Sequence, residues 1–448
     1  MFSLINIKSV AVIIYTTLLL GCVSSEQKAT QNKYAQQDIA YVNGQFFNQS
    51  HGFESKAIII REGIVIANVN ALSDNFPGKV IDLQGKWGIP GLIDMHTHSF
   101  GNFIPNAKND APGTQGVSQR VLKAGVTGLV DLFGDETALV AVRNRQRNGE
   151  FVGADIYASL TCFTAPKGHC SEYGITTRTV STVKQAQKQM AELAKQKPDV
   201  IKIVYQPSDD QPSISKAVFA QLVQESKKLG IKSIAHIKTW QDIRDAAKVG
   251  VSAVTHVPRG EIPKDIADLM ANADVAIIPT LSVHNDFVNY LFDPSVLNSP
   301  LLTELVPDTL ISAYRANDLI AKYQDRKTSF QQRNEVTLNA VKAMSDAGVK
   351  VLVGTDAGNW NTVQGYSVHR EMKLLTDAGI SPLQAIASAT THSADFLGIK
   401  SGFNEGEHAN FVILNASPVD DILNTQQIAL VVKSGNIVVQ NDPSLSKL

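Results

Sequence analysis

Gly91-Leu-Ile-Asp-Met-His-Thr-His98 is an apolar run that ends in two histidines. In a strand, side chains two residues apart share a face, so His96 and His98 project to the same side where the run ends. A short continuous apolar stretch bounded by Pro and Gly reads as a fully buried strand, and Pro90-Gly91 supplies the boundary. Seven more runs of this kind follow: Val126 to Phe133, Asp155 to Cys162, Val200 to Tyr205, Lys232 to Ile237, Ala253 to Val257, Val275 to Leu281 and Val349 to Asp356. Most are followed by an amphipathic stretch, such as Lys216 to Leu229 or Gln241 to Val249, which is the alternation of parallel βαβ units. Eight such units close an α/β fold of the (β/α)8 TIM-type barrel kind, whose functional groups gather at the C-terminal ends of the strands. A doubly wound open sheet is the other architecture, but no Gly-rich phosphate loop follows the first strand. About 65 residues separate Leu281 from Val349, and Leu310 to Met344 reads as helical, so a long helical insertion over the functional face is expected after the seventh strand.

The two chain ends read differently. From Asp38 to Lys86, short β-rich runs such as Lys56-Ala-Ile-Ile-Ile60 and Gly63-Ile-Val-Ile-Ala67 are separated by turn residues. Ala409-Asn-Phe-Val-Ile-Leu414, Ile428 to Lys433 and Ile437 to Gln440 repeat that pattern, with Ser434-Gly-Asn436 as a tight turn. Residues 38–88 and 403–448 are therefore expected to share one composite β domain, a small sandwich, beside a barrel of residues 89–402. Upstream, Lys8 precedes the apolar run Val10 to Leu20, which is too short to span a bilayer as a helix. It has the layout of a signal peptide over residues 1–21, and Leu19-Leu-Gly-Cys22 resembles a bacterial lipobox in which Cys22 is acylated. Residues 22–37, rich in Ser, Gln, Lys and Asn, then read as a tether. The expectation is an exported protein, lipid-anchored through Cys22 to a bacterial membrane and facing the periplasm or cell exterior.

Composition narrows the partners. Forty-one Lys and Arg against 42 Asp and Glu give a net charge of −1 with no basic block, which excludes an electrostatic grip on nucleic acid. A mean hydropathy of −0.04 excludes a protein of many membrane spans. What remains is a small-molecule substrate, the membrane reached through the lipid on Cys22 and, left open, further copies in a homo-oligomer. Cys162 and Cys170 lie eight positions apart, and the sequence leaves a disulfide and two free thiols equally open.

Three later strands each end in a metal-ligand type: His236 after Ile234-Ala235, His256 after Ala253-Val-Thr255, and Asp356 after Val351-Leu-Val-Gly-Thr355. A buried aspartate needs a charged partner, and a metal supplies one. Lys202 interrupts Val200-Ile201 and Ile203-Val204 in a strand that otherwise reads as fully buried, where a bare ammonium is costly. Addition of carbon dioxide to its amine gives a carbamate, a carboxylate able to bridge two cations.

His96-Thr-His98, Lys202, His236, His256 and Asp356, led into by Gly88-Ile-Pro-Gly-Leu-Ile-Asp94, resemble the amidohydrolase superfamily in its imidazolonepropionase- and prolidase-like branch. The resemblance runs from about Asp38 to Gln440, and Thr164-Ala-Pro-Lys-Gly-His169, His369-Arg-Glu-Met-Lys373 and Ser388-Ala-Thr-Thr-His-Ser-Ala-Asp-Phe-Leu-Gly398 agree with it. Two positions depart: Asn410 stands where Asp is usual, and Lys167 where a second Gly is expected. The resemblance implies two divalent metal ions, His96, His98 and Asp356 holding one, His236 and His256 the other, and carboxylated Lys202 bridging them. Nitrogen and oxygen ligands without thiolate suit zinc. It also implies a shared hydroxide as nucleophile, with Asp356 as the catalytic group that takes its proton and passes it to the leaving group. His169 would meet the substrate carbonyl or its oxyanion, Arg259 a substrate carboxylate, and Tyr205 and His284 the rest of the pocket. The expected reaction is hydrolysis of a C–N amide bond in an Xaa-Pro-like dipeptide or N-acyl amino acid. The alternatives are a cyclic amide, lactone or phosphoester at the same metals, or a lipid-anchored binding protein without catalysis.

Overall fold

A computed structural model describes residues 33–99, 112–207, 211–359 and 361–446. Cys22, the leader and most of the tether lie outside these residues. Among the described residues no helix is long and apolar enough to cross a membrane.

Parallel strands dominate residues 92–278, in two sheets. One runs in the order Leu92–Thr97, Val126–Asp131, Asp155–Ala158. The other runs Arg178–Thr179, Cys162–Thr164, Val200–Val204, Lys232–His236, Ala253–Thr255, Ala276–Ile278. Leu92–Thr97, Val126–Asp131 and Val200–Val204 are buried along their whole length, as strands covered on both faces must be. The helices between them start on side-chain caps. Thr239, for example, forms a capping box with Asp242 at the head of Trp240–Val249, which stops at Gly250 in the left-handed conformation and buries Ile243, Ala246 and Ala247.

Two expected strands differ in detail. The third divides into Asp155–Ala158 and Cys162–Thr164 because Leu160 between them turns the chain with φ 68°, and each half pairs with a different neighbour. The eighth makes no continuous ladder. Residues 350–357 instead touch both sheets by single bridges, Val351 to Ile277 and Ala357 to Thr97, with Met95 N donating to Val353 O. The approach is close: a Cβ on Gly354 would fall 2.4 Å from Ile278 and 2.9 Å from His96 N. No single ladder runs round all eight segments.

Both chain ends enter one eight-stranded sheet. Its order is Asn436–Gln440, Ile428–Lys433, Phe411–Leu414, Trp87–Pro90, Ile39–Asn48, Gly52–Arg61, Ile64–Val69, with Lys79–Asp82 also beside Ile39–Asn48. The expected sandwich of two sheets is thus one hydrogen-bonded sheet, because Trp87–Pro90 pairs with the N-terminal strand on one edge and with Phe411–Leu414 on the other. Residues from both ends fill its core, where Tyr41 meets Phe411 and Phe46 meets Phe403 edge-on, each pair at 5.0 Å.

The insertion after the seventh strand is helical from Leu281 onward: Leu281–Phe292, Pro300–Leu305, Asp308–Tyr314, Asn317–Tyr323 and Lys327–Asp346. Its first helix is pinned by the motif at 369–371. Glu371, buried, accepts from Leu281 N and Ser282 N at 2.8 Å each, satisfying two of the unpaired N–H groups of that helix's first turn. Burial raises the Glu371 pKa to about 8, against the pull of those two amides. Arg370 pairs with buried Asp286 at 2.9 Å, and His369 bridges Thr425 Oγ1 at 2.9 Å and Ala124 O at 3.0 Å. Glu371→Ala should lower stability by about 3 kcal/mol, since two buried donors lose their carboxyl acceptor. Urea denaturation reads this out, and an unchanged midpoint would mean that the helix start is held by something else.

Candidate metal centre

Asp94 sets the register on which the centre depends. Its carboxylate accepts from His96 N at 3.1 Å, Thr355 N at 3.0 Å and Thr355 Oγ1 at 2.6 Å, so the strand carrying the histidines is locked beside the segment carrying Asp356. Asp356 Oδ1 consequently stands 3.1 Å from His96 Nε2 and 3.0 Å from His98 Nε2. One ligand atom from each of the three lies within 4.8 Å of the others. His98 Nδ1 donates to Phe133 O at 3.2 Å, which turns the lone pair of Nε2 toward Asp356. Burial and Lys202 push the His96 pKa down to about 3, so that ring is neutral. Burial works to raise the pKa of Asp356, but His96 and His98 outweigh it and hold the carboxyl well below its usual range.

His236 and His256 form the other half. His256 Nε2 lies 2.9 Å from His236 Nδ1, while the outward nitrogens are engaged by Gln206 Oε1 at 3.0 Å and Thr280 Oγ1 at 2.7 Å. Burial drives both pKa values well down, leaving neutral rings. The two halves meet at a His96–His256 ring separation of 5.3 Å, and Lys202 Nζ lies at that junction, 3.4 Å from His96 Nε2 and 3.5 Å from Thr255 Oγ1. Burial lowers the Lys202 pKa against the opposing pull of Asp356, favouring a neutral amine. His169, from the loop after Cys162–Thr164, brings its ring to 4.6 Å from His236 and sets Nδ1 2.6 Å from Glu172 Oε1. His256, Asp356 and Thr280 all take left-handed backbone, with φ 74°, 55° and 51°. Such conformations cost of order 1–3 kcal/mol each and cluster where side chains must be aimed.

The donor set fits a divalent cation. Asp356 Oδ1 is buried, faces two imidazole nitrogens, and has no hydrogen-bond donor satisfying it; His96 Nδ1 is likewise buried without a partner. Electron-rich atoms aimed at one another in a buried site need positive charge between them.

Tyr205 is not part of this cluster. It lies an odd number of residues after Lys202 on an extended segment and so points to the opposite face, where its ring stacks on Phe219 at 4.3 Å and its hydroxyl donates to Asp245 Oδ2 at 2.8 Å. Arg259 is exposed just beyond His256, and His284 is solvent-accessible in the first turn of Leu281–Phe292. Cys162 and Cys170 are both buried as free thiols in a small core with Phe133 and Val204. Sequence reasoning quoted Asp94 in the lead-in motif without giving it a role, and passed over Gln206, Thr280 and Glu172; all four orient the cluster. Asp94, two residues from His96, and Glu172, three from His169, carried a local signal. It also passed over Asp131, which accepts from Ser99 N at 2.9 Å and from Ser99 Oγ and so holds the chain just after His98.

Histidines and an aspartate thus converge at the strand ends of a parallel α/β fold as a candidate metal centre, and sequence comparison gives the family. The amidohydrolase family model matches residues 88–438, and the chain belongs to that family. Among curated proteins, adenine deaminase 2 of Oenococcus oeni is 38% identical over 63 residues, 14% of this chain and 11% of that protein. Imidazolonepropionase of Chromobacterium violaceum is 42% identical over 48 residues, 10% of this chain and 12% of that protein. The matched stretches therefore span only about a tenth of either relative. Among solved structures, a Xaa-Pro dipeptidase with bound methionine superposes with a TM-score of 0.71 at 20% identity, covering 90% of this chain and 99% of that one. A putative prolidase from Bifidobacterium longum gives 0.70 at 22%, covering 91% and 96%, and a prolidase complexed with N-methylphosphonate-L-proline gives 0.69 at 19%, covering 90% and 100%. At these identities the likeness is one of fold.

Proposed function

We propose that the chain is a binuclear metal-dependent amidohydrolase that cleaves a C–N amide bond in an Xaa-Pro-like dipeptide or an N-acyl amino acid. The observation that carries this reading is the convergence of His96, His98, Lys202, His236, His256 and Asp356 into one largely buried cluster of imidazoles around an ionised carboxylate. Members of the family are hydrolases of C–N bonds, and the prolidases among the structural neighbours favour a dipeptide. In this reading the two parallel sheets and residues 350–357 close one barrel around the cluster.

His96, His98 and Asp356 would hold one cation and His236 and His256 the other, with Lys202, carboxylated by carbon dioxide, between them; zinc suits these ligands. Divalent cations there would polarise the scissile carbonyl and bring a water within reach of ionisation at neutral pH. Asp356, held ionised, accepts the proton of the attacking water and delivers it to the departing nitrogen. His169, oriented by Glu172, donates to the substrate oxygen as negative charge develops there. Export and lipid anchoring through Cys22 rest on the Leu19–Cys22 motif alone.

The test is hydrolysis of a library of Xaa-Pro and other dipeptides and N-acyl amino acids by the metal-loaded chain. A member cleaved with kcat/KM of roughly 10⁴ M⁻¹s⁻¹ or more supports the reading. Silence across the library from protein carrying metal would reject it and turn attention to lactones, cyclic amides and phosphoesters.

A further inference from the structure

Thr280 stands at the head of the insertion's first helix, Leu281–Phe292, yet does not cap it. A threonine in that place ordinarily turns its hydroxyl back onto an amide of the first turn. Here it takes left-handed backbone at φ 51° and ψ 44°, an outlier for a β-branched side chain, and makes no such bond. Thr280 Oγ1 lies instead 2.7 Å from His256 Nδ1. Leu281 and Ser282, whose amides are left behind, are both buried, so they need an acceptor from the protein.

That acceptor comes from another helix. Glu371, on Tyr366–Asp377, accepts from Leu281 N and Ser282 N at 2.8 Å each. One turn further along, Arg370 donates to Asp286 Oδ1 through Nε at 3.1 Å and Nη2 at 2.9 Å. Two consecutive residues of one helix thus grip two consecutive turns of the other, which fixes where Leu281–Phe292 begins and how it is rotated. The Asp356 half of the centre has its own anchor. Asp94 takes three bonds there from His96 and Thr355, and the bond from Ser282 Oγ to Thr355 O at 3.2 Å only adds to them. The His256 half has no counterpart of Asp94 and leans on Thr280. For His256 Nε2, which faces His236 Nδ1 at 2.9 Å, to keep its lone pair for a cation, Nδ1 must carry the ring hydrogen and meet an acceptor. Thr280 Oγ1 is that acceptor while the helix start stays in place.

We propose that Glu371 is a positioning residue for the His236–His256 half of the centre: by capping the insertion's first helix in place of Thr280, it frees the Thr280 hydroxyl to orient His256 as a ligand of a divalent cation. This rests on the binuclear reading above and adds a residue from outside the cluster. It makes the insertion part of the device that aims one half of the centre, and leaves the His96, His98 and Asp356 half independent of it.

Two readouts on the full chain decide this, and one needs no metal. In proton–nitrogen spectra of the metal-free protein labelled at its histidine rings, Thr280→Val and Glu371→Ala should shift the same His256 resonances in the same direction and leave those of His96 and His98 in place. Glu371→Gln keeps one side-chain oxygen for the two amides, so it should shift them part of the way, and it keeps the test open if the alanine variant fails to fold. In calorimetric titrations with zinc, Thr280→Val and Glu371→Ala should each weaken one site about 10- to 100-fold and leave the other within about twofold. Combined, the two should cost no more than the worse of them alone, because both act through one contact. His256 resonances unchanged in the Glu371 variants that fold, or shifts shared equally by His96, His98, His236 and His256, overturn the proposal. A wild type that binds one zinc or none rejects the binuclear reading instead, and the His256 spectra then still decide whether Glu371 positions that ring.

Discussion

Replacing Asp356 with asparagine should lower kcat by roughly 10³-fold, within the range lost when a positioned proton-transfer group is removed. The substitution is chosen to separate chemistry from folding. Asp356 sits at φ 55°, a conformation that asparagine tolerates better than other side chains, and the two residues have nearly the same volume. The melting temperature should therefore stay close to wild type while turnover collapses. Asparagine cannot accept the proton of an attacking water, and its neutral amide is a weaker partner for any cation beside His96 and His98. A variant with near-normal kcat would remove Asp356 from the chemistry, and a variant that fails to fold would show that its carboxylate is needed for more than catalysis.

Lys202→Ala should have an effect of the same order and a different signature. If the lysine bridges as a carbamate, its loss removes a ligand of both cations, so metal content should fall from about two per chain toward one or none, and activity with it. The wild-type protein, stripped of metal and reloaded, should regain activity faster with bicarbonate present, because carbon dioxide reacts with the neutral amine. The position favours that state: Lys202 is 3% exposed, and burial lowers its pKa. Wild-type metal content in the alanine variant would sink the bridging role, leaving a lysine that only shapes the floor of the cluster.

The sequence made the parallel architecture readable because most of these strands are buried on both faces and so stand out as apolar runs, with a polar ending marking the site. His96, His98, His236, His256 and Asp356 were legible for that reason, and Lys202 because it broke a run. The division of the third strand was not, since Leu160 adopts a left-handed conformation without the Gly or Asn that ordinarily announces one. Tyr205 was assigned to the pocket from its nearness to a strand end, although the alternation that turned Lys202 inward sends Tyr205 outward. Gln206 and Thr280 were given no role although each stands just past a strand end, because their meeting with His236 and His256 is a fact of tertiary packing that no local pattern records. The shared β domain of the two chain ends was expected from their strand-rich runs, but that it is one hydrogen-bonded sheet was not, since the pairing of Trp87–Pro90 with both ends is set by tertiary packing.

That sheet bears on how the protein is made. Phe411–Leu414 completes the edge of Trp87–Pro90, so a strand that leaves the ribosome early waits for more than three hundred further residues before its partner exists. Until then Phe46, Ile58 and Tyr41 have only part of the core that will cover them, and pairings so distant in sequence are slow to form. A nascent chain halted before the last strands would carry the complete set of site residues through Asp356 and still expose this apolar face, making it a natural client for chaperones.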